Sequence, residues 1–298
     1  DGESGVLTLP DGRHLGCVTY GAEKGHPIFY LHGYPGSRLG ASVWHDTARS
    51  MGVSIFSMDR PGIGLSDPQP NRSFLSHAHD IKVLAKYLGY EKYHVIGTSG
   101  GGPYALACAH SHSPSHLLST TIISGVGQAG VGTHAMSRGS RLGFWALENA
   151  PWAIRVMGEL WKWLVENPRL TDDRILNFMR HRQKQLVVPQ ADRDVFADEA
   201  MMRMLLASWR QHFRQGTDAF LQDGRLYTQP MGFDVAQIRG PVRLWYGKLD
   251  VNVPAVIGED YERILKSAGG DVKLHLEHET HLSLGMNCRR RVLEDLLL

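Results

Sequence analysis

The sequence predicts an α/β fold: a mostly parallel central sheet flanked by helices, with a helical segment inserted into it. Three observations carry this reading. Short apolar runs alternate with helix-period segments along the first part of the chain. Several of these runs end in glycine-rich stretches, as strands buried on both faces and followed by tight turns do. The alternation stops at about Val126 and resumes at Val242, with helix-period patterning between. The chain therefore divides into residues 1–125 as the first part of the core, 126–235 as a helical cap or lid, and 236–298 as the second part of the core.

The elements follow in order. Val6 to Leu9 and His14 to Tyr20 flank Pro10-Asp11-Gly12, a turn signal, and read as a hairpin. Pro27 to Leu31 runs into His32-Gly33-Tyr34-Pro35-Gly36. Val53 to Met58 runs into Asp59-Arg60-Pro61-Gly62, and Tyr93 to Ile96 into Gly97-Thr98-Ser99-Gly100-Gly101. Leu117 to Ser124 is a fourth run. Phe74 to Leu88 is helical, with Ile81, Leu84, Ala85 and Leu88 on one face. In the insertion, Ala153, Met157, Leu160, Trp161 and Leu164 form one apolar stripe, and Met201, Leu205, Trp209 and Phe213 another. Asn149 and Pro151 sit where a cap and a first-turn proline belong. After the insertion come strand Val242–Tyr246, helix Val256–Lys266, strand Val272–Leu276 and one helix from about Leu284 to Leu297. There is no internal repeat and no low-complexity tract.

Composition sets bounds. The 298 residues are 42% apolar and 21% charged, ordinary for a globular chain and unlike a disordered or fibrous one. The net charge of +2 gives no electrostatic case for nucleic acid or an anionic membrane. No apolar run reaches the length of a membrane span. Asp1 to Gly12 is polar and turn-like rather than a signal peptide. Cys17, Cys108 and Cys288 are too few and too scattered for a disulfide framework or a zinc site, which predicts a reducing, cytoplasmic setting. The chain is expected to be a monomer or a homodimer.

The chemistry centres on Gly97-Thr98-Ser99-Gly100-Gly101, a G-x-S-x-G motif between a predicted strand and the predicted helix Gly102–Ala109. A nucleophile elbow requires that placement. The turn strains the Ser backbone, and small flanking residues let strand and helix approach. The helix start adds a free N–H and a favourable dipole for an oxyanion. A nucleophilic Ser needs a base, and the base an orienting acid. His281, in a loop just past the last strand, is the best-placed base. His275 alternates within the strand, and His278 is too close to the strand end for a free loop reach, but it stays open as an alternative. The best acid is Asp250, in the loop after strand Val242–Tyr246. A bystander Ser in a glycine-rich turn and an Asp serving only as an Asx-turn are the plainer readings.

The order Ser99…Asp250…His281 is that of α/β-hydrolases. The chain resembles that superfamily over nearly its whole length. The matching pieces are His32-Gly33-x-Pro35, Asp59-x-x-Gly62-x-Gly64-x-Ser66, the Ser99 elbow, Gly247-x-x-Asp250-x-x-x-Pro254 and His281. The resemblance implies an α/β-hydrolase fold, oxyanion donors at the backbone N–H groups of Tyr34 and Gly100, and a cis bond before Pro35. It also implies structural roles for Asp59, Arg60, Gly62 and Gly64. Phe220 to Gln237 resembles the hinge that returns capped members to the core. Members with an Asp nucleophile, such as epoxide hydrolases and haloalkane dehalogenases, differ from this chain at Ser99.

Gly100-Gly101-Gly102-Pro103-Tyr104-Ala105 also fits a dinucleotide fingerprint. The next strand carries no acid at its end, and Pro103 removes an N–H near the phosphate, so the reading fails. No metal or organic cofactor is implied. The insertion holds five of the seven tryptophans and seven of the ten methionines, which suits an apolar or aromatic pocket and equally suits packed helix faces. The tract Met179 to Lys184 is basic and reads as a solvated helix face. The expected reaction is hydrolysis of a small to medium ester or lactone through an acyl-enzyme on Ser99. The alternatives are carbon–carbon bond hydrolysis, an aminopeptidase using carboxylates such as Glu148, Glu159 or Glu166, or a slow-turnover ligand receptor.

Overall fold

The computed structural model describes residues 4–184 and 189–297, with the backbone alone at 182–184. Its first half runs β1 (Ser4–Thr8), β2 (His14–Gly21), β3 (His26–Leu31), α1 (His45–Ser50), β4 (Val53–Met58), α2 (Phe74–Tyr87), β5 (Tyr93–Thr98), α3 (Gly102–Ser111) and β6 (Leu117–Ile123). Six helices follow: α4 (Arg138–Asn149), α5 (Pro151–Glu166), α6 (Asp172–Lys184), α7 (Gln190–Ala197), α8 (Glu199–Phe213) and α9 (Asp218–Leu226). The chain then returns through β7 (Val242–Gly247), α10 (Val256–Ser267), β8 (Val272–Glu277), α11 (His281–Asn287) and α12 (Arg289–Leu297).

The strands form one sheet in the order β1-β2-β4-β3-β5-β6-β7-β8. β1 and β2 make the antiparallel hairpin, and β2 also pairs antiparallel with β4. From β4 to β8 every pairing is parallel. Side chains alternate across these strands. Phe29, Leu31 and Val95 pack on one face with α2, α3 and α10, while Ile28, Tyr30 and Ile96 pack on the other with Trp44, α1 and α12. Both faces are dry, which is why these strands read as continuous apolar runs.

Capping decides the helix limits. Ser73 and Ser76 form a capping box at the start of α2, and Leu88, expected on its buried face, is its exposed C-cap. Asn149 is not a cap. It is the last residue of α4 and donates to the Trp145 carbonyl, and Ala150 opens α5 with Pro151 in the first turn. The single C-terminal helix is in fact two, α11 and α12, meeting at Cys288.

The six helices enclose a third apolar cluster, including Leu147, Ile154, Val165, Leu176, Met202, Leu206, Phe213 and Phe220. The α8 stripe belongs to it. The α5 stripe does not hold as expected. Ile154, Gly158 and Val165 are buried, with Trp161 partly so, whereas Leu160 is 63% and Met157 40% exposed. A Cβ on Gly158 would lie 3.0 Å from the Phe220 ring, so α5 is rotated to bring its smallest residue, not its Leu160 side, against α9. In the basic tract Met179 is buried and Arg180 pairs with Glu199, so those two are not a solvated face. The side chains of Arg182, Gln183 and Lys184 lie outside the described residues. Among the described residues no helix is long and apolar enough to cross a membrane.

Two substitutions separate the two faces of α5. Ile154→Ala should cost about 2–5 kcal/mol in urea unfolding, and Leu160→Ala less than about 0.5 kcal/mol. Equal costs would contradict the orientation.

Candidate active site

Ser99 follows directly on β5. Its φ of +54° is left-handed, a region that costs a side-chain-bearing residue about 1–2 kcal/mol. The neighbours explain how this is accommodated. A Cβ on Gly97 would run into the Gly101 carbonyl and, at 2.7 Å, into Ala105 of α3. A Cβ on Gly101 would strike the Leu31 carbonyl at the end of β3. Strand and helix therefore meet at van der Waals distance, and Ser99 is lifted above the C-terminal ends of β3 and β5.

His281 and Asp250 converge on it. His281 Nε2 lies 3.0 Å from Ser99 Oγ, and His281 Nδ1 lies 2.7 Å from Asp250 Oδ2. The Asp250 carboxylate accepts from the imidazole N–H, so Nδ1 carries the proton and Nε2 is left to accept from the Ser99 hydroxyl. The other Asp250 oxygen accepts the backbone N–H groups of Asn252 and Val253, both at 2.8 Å, which fixes the carboxylate plane. Burial disfavours a charged His281, but the charge and hydrogen bond of Asp250, with the charge of Asp192, outweigh it and raise the imidazole above its ordinary value of 6.5.

His281 is not in a free loop. It is the first residue of α11, whose N-cap is Thr280, in a capping box with Ser283. The rival histidines are elsewhere. His275 stacks on Trp245 at 3.9 Å and bonds Asp295, and His278 is exposed.

Tyr34 and Gly100 both reach this centre. A Cβ on Gly100 would lie 2.7 Å from Tyr34 Cβ, and one on Gly33 would lie 3.4 Å from Ser99 Cβ. The Tyr34–Pro35 bond is cis. The Gly33 carbonyl accepts from Arg60 at 2.9 Å and from the His32 ring at 2.8 Å. In a trans peptide C=O and N–H point opposite ways, so this anchoring aims the Tyr34 N–H away from Arg60. The Ser99 carbonyl accepts the Val126 N–H at 3.1 Å, which orients the Gly100 N–H in the same manner.

Sequence reasoning missed what holds this loop. Arg60 is buried and also donates to the His32 carbonyl at 2.5 Å. Its Nε donates at 2.8 Å to Asp223, on α9 of the inserted segment. Arg72 and the Tyr104 hydroxyl converge on the same carboxylate. Burial pushes Asp223 up, but the charges of Arg60 and Arg72 and the Tyr104 hydrogen bond hold its carboxyl below the ordinary value. The signal available in the sequence was slight: Asp223 falls three and four residues after Phe220 and Ala219, on the buried side of α9. Asp59, as expected, is structural: it accepts from the Arg38 and Leu65 N–H groups and from the Arg38 guanidinium.

Two apolar cavities flank Ser99 and His281. One, of about 330 Å³, is lined by Phe144, Leu147, Ile154, Met157, Phe220 and Val253 among others. The second, of about 220 Å³, lies against Trp44, Met201, Met204, Leu205 and Trp209. Among the described residues no acidic or basic side chain other than His281 and, in the second, His32 lines either one. Glu148 is exposed, Glu159 accepts from Thr217, and Glu166 pairs with Lys162. Among the described residues no cluster of three or more His, Cys, Asp or Glu side chains is arranged to hold a metal ion.

Residues 26–149 match the family described as the alpha/beta hydrolase fold. A probable proline iminopeptidase of Streptomyces coelicolor is 33% identical over 120 residues, which cover 37% of this chain and 36% of that protein. A non-heme chloroperoxidase of Streptomyces lividans is 28% identical over 127 residues, 41% of this chain and 45% of that protein. The chain thus matches less than half the length of either. An esterase of Exiguobacterium antarcticum superposes with a TM-score of 0.65 at 15% identity, covering 99% of this chain and 98% of that one. That likeness extends over the whole chain and concerns the fold.

Two measurements test the geometry. Asp223→Ala leaves two buried guanidinium groups without their carboxylate and should cost about 3–5 kcal/mol in unfolding; a loss under about 1 kcal/mol would contradict the cluster. In an NMR pH titration His281 should protonate at a pH above 6.5, and a midpoint below that would remove the Asp250 contact from the account.

Proposed function

We propose that this chain, a member of the α/β-hydrolase superfamily, is a serine hydrolase that cleaves small to medium carboxylic esters or lactones. The observation that carries the proposal is the hydrogen-bonded line Ser99–His281–Asp250 at 3.0 and 2.7 Å, lying between two apolar cavities. Ser99 Oγ attacks the carbonyl carbon while His281 Nε2 takes its proton. Asp250 holds the imidazole tautomer and balances the imidazolium charge. The N–H groups of Tyr34 and Gly100 hold the oxyanion, each fixed in advance by its anchored carbonyl. Collapse expels the alcohol, which takes the proton from His281. Water, deprotonated by His281, then attacks the acyl-enzyme and releases the acid, restoring Ser99. No step needs a metal or an organic cofactor.

The substrate class follows from the walls. A carbonyl seated on Ser99 places one arm in each cavity, and both are apolar, so both arms are apolar or aromatic. In this reading residues 126–235 form a cap that supplies most of the wall of the first cavity and one side of the second. An aminopeptidase must pair a buried substrate ammonium with a carboxylate. Glu148, Glu159 and Glu166 do not line the cavities, which favours the neutral ester over the amine. The unpaired thiols of Cys17, Cys108 and Cys288 support a reducing setting, and we place the protein in the cytoplasm.

A nitrophenyl ester series of increasing acyl length should show turnover with an optimum, since the cavities are bounded. Ser99→Ala should lower kcat by about a thousandfold or more. A loss under about tenfold would overturn the proposal. Activity should fall as pH drops through the raised His281 titration, because only the neutral imidazole accepts the Ser99 proton.

A further inference from the structure

The helix that begins at His281 is tied to the cap. From the contact between α7 and the start of α11, we propose that Asp192 is a positioning residue for His281: it holds the Thr280 hydroxyl, on the residue that caps the His281 helix, and so couples the cap to the placement of the base. The inference rests on the proposed triad and extends it to a residue outside both cavities.

Hydrogen bookkeeping supports it. Thr280 is buried, and its hydroxyl has one proton to give. Its oxygen accepts the Ser283 N–H at 3.3 Å, and the Ser283 oxygen accepts the Thr280 N–H at 2.9 Å. The Ser283 hydroxyl donates at 2.5 Å to Glu279. With Ser283 committed to Glu279, the arrangement that leaves no carboxylate unserved sends the Thr280 proton to Asp192. The box at the head of α11 is therefore closed by two carboxylates, Glu279 from its own segment and Asp192 from the cap. α7 packs directly on α11, so the contact is part of an interface rather than a lone reach.

Charge gives a second, separable effect. The charged groups facing His281 are Asp250, from the loop after β7, and Asp192, from α7. On α12, Arg289 donates to the Met286 and Val43 carbonyls and Arg291 pairs with Glu277, so both are turned away. Glu279 is bonded to Ser283 and Asn287. Asp192 is half-buried, which raises its carboxyl above the ordinary value while the Thr280 hydroxyl draws it back. At neutral pH its negative charge favours the imidazolium that forms when Ser99 gives up its proton.

The test compares wild type, Asp192→Asn and Asp192→Ala by ester kinetics across pH and by NMR titration of His281. Asn keeps an acceptor for Thr280 but removes the charge. Ala removes both. In both variants the His281 midpoint, and with it the acid limb of kcat/KM, should move to lower pH. Asp192→Ala should also lose about tenfold in plateau kcat with KM within about twofold, since a small misplacement of a catalytic group is costly while the cavity walls are untouched. Asp192→Asn should recover most of that loss. Unmoved midpoints with plateaus within about twofold of wild type would overturn the inference. If wild type turns over no ester, the serine-hydrolase proposal fails instead, and the NMR titration still reads the Asp192 effect without activity.

Discussion

The buried guanidinium of Arg60 joins three parts of the molecule that are far apart in sequence. It leaves the end of β4, donates to the carbonyls of His32 and Gly33 beyond β3, and meets Asp223 on α9. A buried ion pair adds little net stability over a well-packed apolar alternative, but it is costly to break from one side. What it supplies here is placement. The Gly33–Tyr34 peptide cannot turn over while its carbonyl is held, so the Tyr34 N–H has one direction to face. The same carboxylate takes Arg72 and Tyr104, so the inserted segment is fastened to the core at the point where the loop is set. Loop, sheet end and α9 are one polar unit inside an apolar surround.

Around that unit the site uses one repeated device. Each group proposed to act in the reaction is fixed through an atom that takes no part in it. The Tyr34 and Gly100 amides are held through the carbonyls of Gly33 and Ser99. The Asp250 oxygen facing His281 is aimed by the two N–H groups on the other oxygen. The strained backbone at Ser99 is tolerated because Gly97 and Gly101 let β5, β3 and α3 close on it. Preorganisation of this kind removes reorganisation from the reaction step.

Much of this is visible in the chain because it is local. Strand ends followed by glycine and the elbow are short-range patterns, the parallel sheet follows from them, and Asp250 and His281 are each picked out by their place just after a strand of that sheet. The parts that escaped are those set by tertiary contact. Arg60 and Asp223 stand 163 residues apart, and no local pattern pairs them. α5 has one narrow polar stripe, Arg155, Glu159, Lys162 and Glu166, and a wide apolar remainder, so helical periodicity alone does not tell the side that meets Phe220 from the side with Leu160 and Trp163. The start of α11 was readable in principle, because Thr280 and Ser283 have capping-box spacing, but two hydroxyl residues carry a weaker signal than Ser or Thr paired with Glu or Gln. The contact of Asp192 with Thr280 lies across 88 residues and depends on how the inserted segment folds back.

The central claim is that Ser99 is an activated nucleophile in the free protein, with its base and oxyanion donors already in place. Intact-mass spectrometry after exposure to a fluorophosphonate tests it directly, because the reagent reacts where a serine is activated and an oxyanion is held. The account predicts one adduct per chain on wild type and none on Ser99→Ala. No adduct on wild type, or an equal adduct on both, would contradict it.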